Sequence, residues 1–280
     1  MNKSTICYVS AYIDIGRKDW KTFSRTFDAY LKAFMPYITM FQRMTPDELK
    51  TYRMVVFVDD RYAQRVKDIL PLEIPIQVIC CSRSYLEKNI QNWSYLDIST
   101  QIIQSDYFRY VVGERVNTFP EHSKAEYVVV TTSKIDFVVR AMEFIDSDYF
   151  CWVDFGYFQY KGTIPKRPLD LNKLDLDRIN IQLLSPLDQR DYDILYTMKH
   201  APEKIAGAFV FGHRTRFLEY YELHHTTQKR FHMLGLVDDD QHLALQCYVR
   251  NPDLFRLHIH PFSWHKSLCL FQKDSLISKK

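Results

Sequence analysis

The stretch from Asp148 to Phe158 reads Asp-Tyr-Phe-Cys-Trp-Val-Asp-Phe-Gly-Tyr-Phe, and Asp154 interrupts its otherwise almost wholly apolar run. The apolar residues 150–153 are typical of a core strand that is covered on both faces. A carboxylate at the end of such a strand is costly unless a cation or several donors meet it. Gly156 marks a place where backbone or ligand can approach closely. We therefore predict a buried strand at 150–155 that carries Asp154 to a binding site.

The residues before this stretch predict a second strand and a connecting helix. Residues 126–131 (Glu-Tyr-Val-Val-Val-Thr) form a β-branched run, and residues 132–133 (Thr-Ser) with Asp136 resemble a helix N-cap with an acidic first turn. Strand, helix and strand within about thirty residues make a βαβ unit, which predicts two parallel strands with a right-handed crossover. Asp154 would then lie at a strand's carboxyl end, where open α/β sheets bind ligands.

Length and composition predict one large α/β domain. The chain has 280 residues and is 46% hydrophobic, which is ample for a packed core. We expect a single domain over residues 1–280, with a mostly parallel central sheet flanked by helices and a first strand at Ile6–Ile13. The segment 161–200 contains three prolines, many charges and little periodicity. It is expected to leave the sheet and to shape the binding site.

Composition also excludes several classes of protein. The 37 basic and 34 acidic residues nearly balance, which argues against a nucleic-acid partner. The six cysteines show no zinc-type spacing and are predicted to be reduced core thiols. There is no apolar signal region and no window long enough to span a membrane, so a cytoplasmic location is predicted. The seven glycines form neither a Gly-x-Gly-x-x-Gly motif nor a P-loop.

Further elements follow from the hydrophobic pattern. A helix with its apolar stripe over 23–34 is expected to stop at Pro36, and a strand at Met54–Val58 ends in Asp59-Asp60, which has the ordinary interpretation of a helix N-cap. Ile205–Gly212 predicts another strand. The helix after it is predicted to bury one face, which consists of Phe217, Leu218, Tyr221 and His225.

Five motifs together resemble a known family. They are residues 8–17 (Tyr-Val-Ser-Ala-Tyr-Ile-Asp-Ile-Gly-Arg), 131–138 (Thr-Thr-Ser-Lys-Ile-Asp-Phe-Val), 152–157 (Trp-Val-Asp-Phe-Gly-Tyr), 207–212 (Gly-Ala-Phe-Val-Phe-Gly) and 239–243 (Asp-Asp-Gln-His-Leu). The sequence resembles the HtrL/YibB (WlaTC-like) family from residue 6 to about residue 265. That family is associated with surface-polysaccharide gene clusters and is taken to be of GT-A glycosyltransferase type. The resemblance implies a nucleotide-sugar donor, a saccharide or lipid-linked acceptor, and peripheral contact with the cytoplasmic face of the inner membrane.

The resemblance also implies a divalent cation, Mn²⁺ or Mg²⁺. Asp154 matches the metal-binding Asp-x-Asp signature of GT-A enzymes, in which the cation bridges a carboxylate and the donor diphosphate. Gly156 stands where the second carboxylate of that signature would be. His260 or His265 would then have to supply the missing ligand, and the alternative for both histidines is a surface or capping role.

Roles in catalysis and acceptor binding are implied for the last two motifs. Asp240 and Asp239 match an acidic motif that opens a helix beneath the acceptor, where a carboxylate can take the proton of the acceptor hydroxyl. The alternative is an acidic helix N-terminus favoured by the macrodipole. Gly207, Gly212 and His242 would lie on the acceptor side, although simple packing explains the glycines equally well.

On the donor side, the candidate cations are Lys134 and Arg17, each of which follows a strand. Lysine at the first position of a helix is locally unfavourable, so a ligand phosphate or a carboxylate would explain Lys134. A solvated cation is the alternative for both. The charged turn at the end of the first strand adds Asp14 and Gly16 to the donor-binding residues, and Lys266 completes them.

Two other functions fit the same residues. A metal-dependent phosphoesterase could use Asp154, the two aspartates of the acidic motif and the histidines without an acceptor sugar. A non-catalytic glycan-binding module could use the 19 Tyr and 19 Phe residues as stacking surfaces, but those aromatics lie mostly on predicted core stripes.

Overall fold

The computed structural model describes residues 4–159, 164–260 and 264–273. These residues form a seven-stranded sheet in the order β3-β2-β1-β4-β6-β5-β7. Its strands are β1 (Ile6–Tyr12), β2 (Tyr52–Asp59), β3 (Ile76–Cys81), β4 (Tyr149–Val153), β5 (Ile179–Leu183), β6 (Ile205–His213) and β7 (Phe255–Ile259). β6 pairs antiparallel with both of its neighbours, and the other pairs are parallel.

Helices connect the strands. The α-helices are α1 (Phe27–Gln42), α2 (Pro46–Leu49), α3 (Asp60–Asp68), α4 (Arg83–Asn89), α5 (Leu96–Gln104), α6 (Asp106–Val112), α7 (Ala125–Thr132), α8 (Lys134–Ala141), α9 (Ile194–His200), α10 (Arg214–Met233), α11 (Asp240–Arg250) and α12 (Ser267–Leu270). Short 3₁₀ helices lie at Arg17–Asp19, Gln91–Tyr95, Gly113–Asn117, Pro120–His122, Leu171–Lys173, Gln189–Tyr192 and Pro252–Leu254. None of the helices within the described ranges is long and apolar enough to cross a bilayer.

Both faces of the sheet are covered, which explains the nearly continuous apolar strands. On one face Tyr8 and Cys151 belong to a core cluster with Phe34 of α1. On the other face Trp152 belongs to a cluster with Phe137 of α8 and residues of α10 and α11. A mostly parallel sheet between two helical layers confirms the predicted α/β class and is consistent with a GT-A-like fold.

The predicted strand at 126–131 is wrong, because these residues lie in α7. The hydroxyls of Thr131 and Thr132 donate to the carbonyls of Tyr127 (2.9 Å) and Val128 (2.8 Å), one helical turn earlier. These bonds satisfy the hydroxyls inside a helix, and tertiary packing of the buried valines outweighs their strand propensity. The predicted central βαβ unit is therefore absent.

The parallel partner of β4 is the first strand of the chain. The register of β1 and β4 runs from Ile6 opposite Tyr149 to Val9 opposite Trp152. The predicted helix does form as α8, but Ser133 does not cap it. The Ser133 hydroxyl donates instead to the Val129 carbonyl (2.6 Å) and so links α7 to α8.

Three further expectations are corrected. Pro36 lies inside α1, because the residues that follow it are buried in the core and keep the helix in place. The segment 161–200 does not leave the sheet throughout, because its residues 179–183 form β5 between β6 and β7. In α10 the buried face includes Tyr220 and His224, whereas Leu218 is 44% exposed. The N-cap interpretation of Asp59 is confirmed, since its carboxylate accepts from the Arg61 amide.

Candidate functional site

A cavity of about 190 Å³ opens at the carboxyl ends of β1 and β4. Because β6 is antiparallel, its amino-terminal half reaches the same edge of the sheet and supplies Gly207 and Ala208. α7 and α8 form one wall, and the first residues of α11 close the base. The cavity therefore lies where the predicted sheet places a ligand site.

At the base of the cavity, Lys134 lies between two carboxylates. Its Nζ is 3.0 Å from Oδ1 of Asp154 and 2.8 Å from Oδ2 of Asp240. Lys134 begins α8, Asp154 directly follows β4, and Asp240 begins α11. The side chains of Lys134 and Asp240 are each 12% exposed. Lysine at the start of a helix is unfavourable for the dipole, and the two carboxylates explain its presence.

Burial and pairing have opposite effects on the titration of this cluster. Burial acts against the Lys134 ammonium, but the charges of Asp154 and Asp240 outweigh it and raise the pKa of Lys134 well above its usual value. Burial raises the pKa of Asp240, an effect that Lys134 opposes and the charge of Asp154 increases. A carboxylate with a raised pKa is well matched to exchange a proton near neutral pH.

Gly207 makes room for this arrangement. Its carbonyl accepts a hydrogen bond from Lys134 Nζ at 2.9 Å. A β-carbon at position 207 would lie only 1.5 Å from Oδ2 of Asp240. The close approach of β6 to α11 therefore requires glycine here, and this requirement gives Gly207 a role beyond ordinary packing.

Asp154 is also held by neighbours other than Lys134. Its Oδ1 accepts from the indole Nε1 of Trp152 at 2.9 Å, and its backbone carbonyl accepts from the Tyr37 hydroxyl at 2.9 Å. Its amide donates to the Ala208 carbonyl at 3.2 Å. These contacts supply the cation and donors that the position of this carboxylate at the end of a buried strand requires.

Two arginines, Arg17 and Arg25, also line the cavity. The Arg17 guanidinium donates to the Tyr30 hydroxyl (2.5 Å) and to the Phe23 carbonyl (2.9 Å), and Arg25 lies over the Tyr30 ring at 5.0 Å from its centroid. Within the part of the chain that the structure describes, neither guanidinium pairs with a carboxylate. Cations held by aromatic rings and carbonyls remain available for an anionic ligand.

Comparison with known proteins gives a family. The family model described as a bacterial protein of unknown function (HtrL_YibB) matches residues 4–273. The chain belongs to the HtrL/YibB family. It is also 26% identical over 289 residues to Protein HtrL of Escherichia coli (strain K12), a match that covers 99% of this chain and 96% of that protein.

In this HtrL/YibB protein the turn after β1 is stabilised internally. Asp14 accepts from the Gly16 amide (2.9 Å) and from the Tyr62 hydroxyl (3.1 Å), and its Oδ2 lies 3.4 Å from Arg61. Gly16 has φ of +74°, a left-handed conformation that favours glycine. Asp14 lines the cavity, but these contacts indicate that it shapes the turn that presents Arg17.

The acidic motif divides into two environments. Asp240 faces the cavity, whereas Asp239 is the N-cap of α11 and accepts from the Gln241 amide at 3.0 Å. Burial and the charges of Asp240 and Asp238 raise the pKa of Asp239 well above its usual range. His242 lies below the cavity, with Nδ1 2.8 Å from Oδ2 of Asp238. The capping alternative therefore describes Asp239, and Asp240 alone of the two lines the cavity.

The remaining predicted residues are dispersed. Gly212 pairs with Phe150 near the opposite edge of the sheet, and its missing side chain makes room for Ile179. Lys266 precedes α12 and does not line the cavity. His260 is also absent from the lining and lies beside Phe271, with 5.9 Å between the ring centroids. His265 does line the cavity.

The described residues do not fit a divalent cation held by Asp154, His260 and His265. His260 is outside the cavity, and no trio of His, Cys, Asp and Glu ligand atoms within 4.8 Å of one another includes Asp154 in the described ranges. The ammonium of Lys134 already lies 3.0 Å from the Asp154 carboxylate, and it would repel a second cation bound there. Lys134 supplies the positive charge at this position.

Several lining residues were not anticipated. Arg25 lies in a polar turn before α1, where no local pattern distinguishes it from a solvated cation. Trp152 carries an apolar signal, and only the contact with Asp154 shows that its indole N–H is used. Tyr127 was assigned to a strand, because an aromatic residue beside β-branched residues favours a strand, and no local pattern indicates its place in the cavity.

Proposed function

We propose that this protein is a glycosyltransferase that moves a sugar from a nucleotide-sugar donor to a saccharide or lipid-linked acceptor. The observation that carries the proposal is the division of one cavity into two chemical parts. Asp240, with its raised pKa, lies beside Lys134, and the same cavity is lined by Arg17 and Arg25, neither of which pairs with a carboxylate among the described residues. Sugar transfer needs both an acid-base group and a site for a diphosphate.

The arginine part is suited to the donor. Guanidinium groups bind phosphate oxygens through paired N–H donors. Arg17 also lies 5.4 Å from the ring centroid of Trp20 and 5.8 Å from that of Tyr127. Aromatic faces beside a phosphate-binding cation are a suitable surface for a nucleoside.

The carboxylate part is suited to the transfer step. The acceptor hydroxyl oxygen forms a bond to the anomeric carbon, the bond from that carbon to the diphosphate breaks, and Asp240 takes the hydroxyl proton. The diphosphate leaves with the bonding electron pair, and the arginines balance its charge. Lys134 stays protonated throughout and keeps the Asp154 and Asp240 carboxylates in position.

The experiment is a thermal-shift screen of nucleotide sugars followed by product analysis. A cognate donor at a hundred times its Kd stabilises the native state by about 2.7 kcal/mol and raises the melting temperature. The donor identified in this way is incubated with mono- and disaccharide acceptors and with a lipid-linked saccharide. The proposal requires a glycosylated acceptor and one nucleoside diphosphate for each sugar transferred.

Asp240→Asn tests the catalytic assignment, and Asp253→Asn, at an exposed position in the 3₁₀ helix Pro252–Leu254, is its matched control. Asp240→Asn should bind the donor with little change in affinity and lower turnover by about a hundredfold or more. If the protein cleaves a simple phosphomonoester such as p-nitrophenyl phosphate and never forms a glycosylated product, it is a phosphoesterase. Donor binding with no product of either kind would leave only a binding module.

A further inference from the structure

Behind the cavity, a second group of acidic and imidazole side chains has not been assigned a role. Glu121 and His122 belong to the 3₁₀ helix before α7, and Asp238 lies in the loop that leads into α11. One ligand atom from each of these three residues lies within 4.8 Å of the other two. The three residues come from two segments that are separated by more than a hundred positions, so the fold brings them together.

His122 is the observation that distinguishes this group from an ordinary acidic cluster. Its side chain is 0% exposed, and neither Nδ1 nor Nε2 makes a hydrogen bond of normal geometry. Buried polar groups are nearly always satisfied, and an exception needs an explanation. The rings of Phe108 and Phe119 contact the imidazole edge to face, and the Arg115 carbonyl lies near it. The protein therefore holds the ring firmly, while neither nitrogen has a well-formed hydrogen bond among the described residues.

The charges of the cluster point to a cation. Glu121, Asp238 and Asp239 contribute three carboxylates, and His242 is their one ion-pair partner within the described ranges, at 2.8 Å from Asp238. A divalent cation would favour the ionised form of each of these carboxyl groups.

We propose that Glu121, His122 and Asp238 hold a divalent transition-metal ion, with Zn²⁺ preferred. Zn²⁺ binds imidazole nitrogen and carboxylate oxygen at about 2.0–2.2 Å and favours a tetrahedral site. Ligand atoms in such a site are about 3.4 Å apart, and the three ligand atoms already lie within 4.8 Å of one another, so only a small closing movement is needed. Glu121 is half-buried, which leaves the fourth position open to water. Imidazole favours Zn²⁺ over Mg²⁺, which prefers oxygen ligands only.

The neighbours of Asp238 provide the support that metal ligands usually have. Its Oδ1 accepts from the Asp239 amide at 2.8 Å, and its Oδ2 contacts His242 Nδ1 at 2.8 Å. Each oxygen keeps a second lone pair for a metal, and such outer contacts orient a ligand. A metal here ties the loop before α11 to the turn before α7, and Asp240 lies two residues from its ligand. The ion therefore fixes the start of α11 without entering the cavity.

The test uses the full chain, stripped with a chelator and then titrated with Zn²⁺ against a chromophoric competitor. One Zn²⁺ per chain should bind and raise the melting temperature. His122→Gln should weaken the affinity by at least about a hundredfold, because even the loss of an outer partner costs ten- to a hundredfold. His200→Gln, at an exposed imidazole on α9, should bind Zn²⁺ like the wild type.

Glu121→Gln keeps the proposal testable if His122→Gln fails to fold, because Glu121 is half-buried and its side chain makes no hydrogen bond to any other described residue. It should fold with an unchanged metal-free melting temperature and lose most of the Zn²⁺-dependent rise. Co²⁺ added to the stripped protein should give a visible d–d spectrum that changes in this variant. No Zn²⁺-dependent rise in the wild type, equal Zn²⁺ binding by Glu121→Gln, or tighter binding of Mg²⁺ than of Zn²⁺ would each overturn the proposal.

Discussion

Gly207 and Asp240 approach so closely that a β-carbon on Gly207 would lie 1.5 Å from Oδ2 of Asp240. β6 and the N-terminus of α11 thus approach each other at this point more closely than any residue with a side chain would allow. The same Gly207 carbonyl accepts from Lys134 at 2.9 Å. The position of the carboxylate is therefore coupled to the backbone of β6.

Gly207→Ala should displace Asp240 and separate it from Lys134. We expect turnover to fall by about a hundredfold, the scale of lost acid-base assistance, while donor affinity changes little because Arg17 and Arg25 are retained. Gly212→Ala on the same strand is the matched control. Its new methyl group meets Ile179, so it should cost about 1–3 kcal/mol of stability through overpacking and leave turnover intact. Similar turnover in both variants would refute the coupling.

Lys134→Met should destabilise the fold and alter its pH dependence. The substitution leaves the Asp154 and Asp240 carboxylates without their cation, which costs about 3–5 kcal/mol when a buried pair is broken. Burial already raises the folded-state pKa of Asp240 above its unfolded value, and without Lys134, which opposes this effect, that pKa rises further. The variant should therefore be most stable below the unfolded pKa of Asp240 and should lose stability, more than the wild type does, as pH rises through the folded pKa.

Denaturant unfolding at pH 4 to 8 measures this difference, and Lys50→Met is the control. Lys50 pairs with Asp47 on the surface, where both side chains are at least 70% exposed, so its loss should have almost no effect. If the unfolding free energies of Lys134→Met and the wild type change with pH in parallel, the pH dependence of stability does not come from the Lys134 ammonium.

Arg25→Gln should weaken donor binding without affecting the fold. Arg25 contacts the Tyr30 ring and has no carboxylate partner among the described residues, so its removal breaks no ion pair. The dissociation constant of the donor should rise by about tenfold or more, which corresponds to 1.4 kcal/mol. Calorimetry at two salt concentrations should also show a weaker salt dependence than the wild type. Arg65→Gln, which loses a surface pair with Asp28 and a contact with the Phe27 ring, should bind the donor normally.

His232 should contribute to acid sensitivity. Burial lowers the pKa of His232 to about 4, from an ordinary value near 6.5. The unfolded chain therefore binds a proton below pH 6.5 that the folded protein takes up only near pH 4, so stability falls as the pH drops through this window. His232→Gln should reduce the slope of unfolding free energy against pH by up to one proton between pH 6 and 4. An unchanged slope would mean that the imidazole titrates normally in the fold.

Local patterns predicted the elements whose signals are strong. The apolar runs at 6–13, 54–58 and 205–212 are strands, and the aspartates before α3 and α11 are N-caps. Asp154, the carboxylate at the end of β4, does line a cavity. These predictions succeed because burial on both faces and N-capping each produce a recognisable pattern within a few consecutive residues.

The prediction of a strand at 126–131 failed because the structure of these residues depends on distant parts of the chain. Its β-branched residues suit a strand, but β1 occupies the position beside β4, and the valines are buried in a helix instead. A propensity of a fraction of a kcal/mol per residue is easily outweighed by packing. The antiparallel direction of β6, which brings Gly207 to the cavity, likewise has no local signal.

The sequence by itself determined the α/β class, the buried strand before Asp154 and the acidic start of α11. Only the tertiary structure decided that Lys134 meets Asp240 across 106 positions of the chain, that two arginines face the same cavity, and that His122 lies beside Asp238. Periodicity and capping arise from neighbours within a few residues, whereas ion pairs and ligand sites depend on distances that strand order and direction set. The chemistry of this protein therefore depends on contacts that exist only after the sheet has assembled.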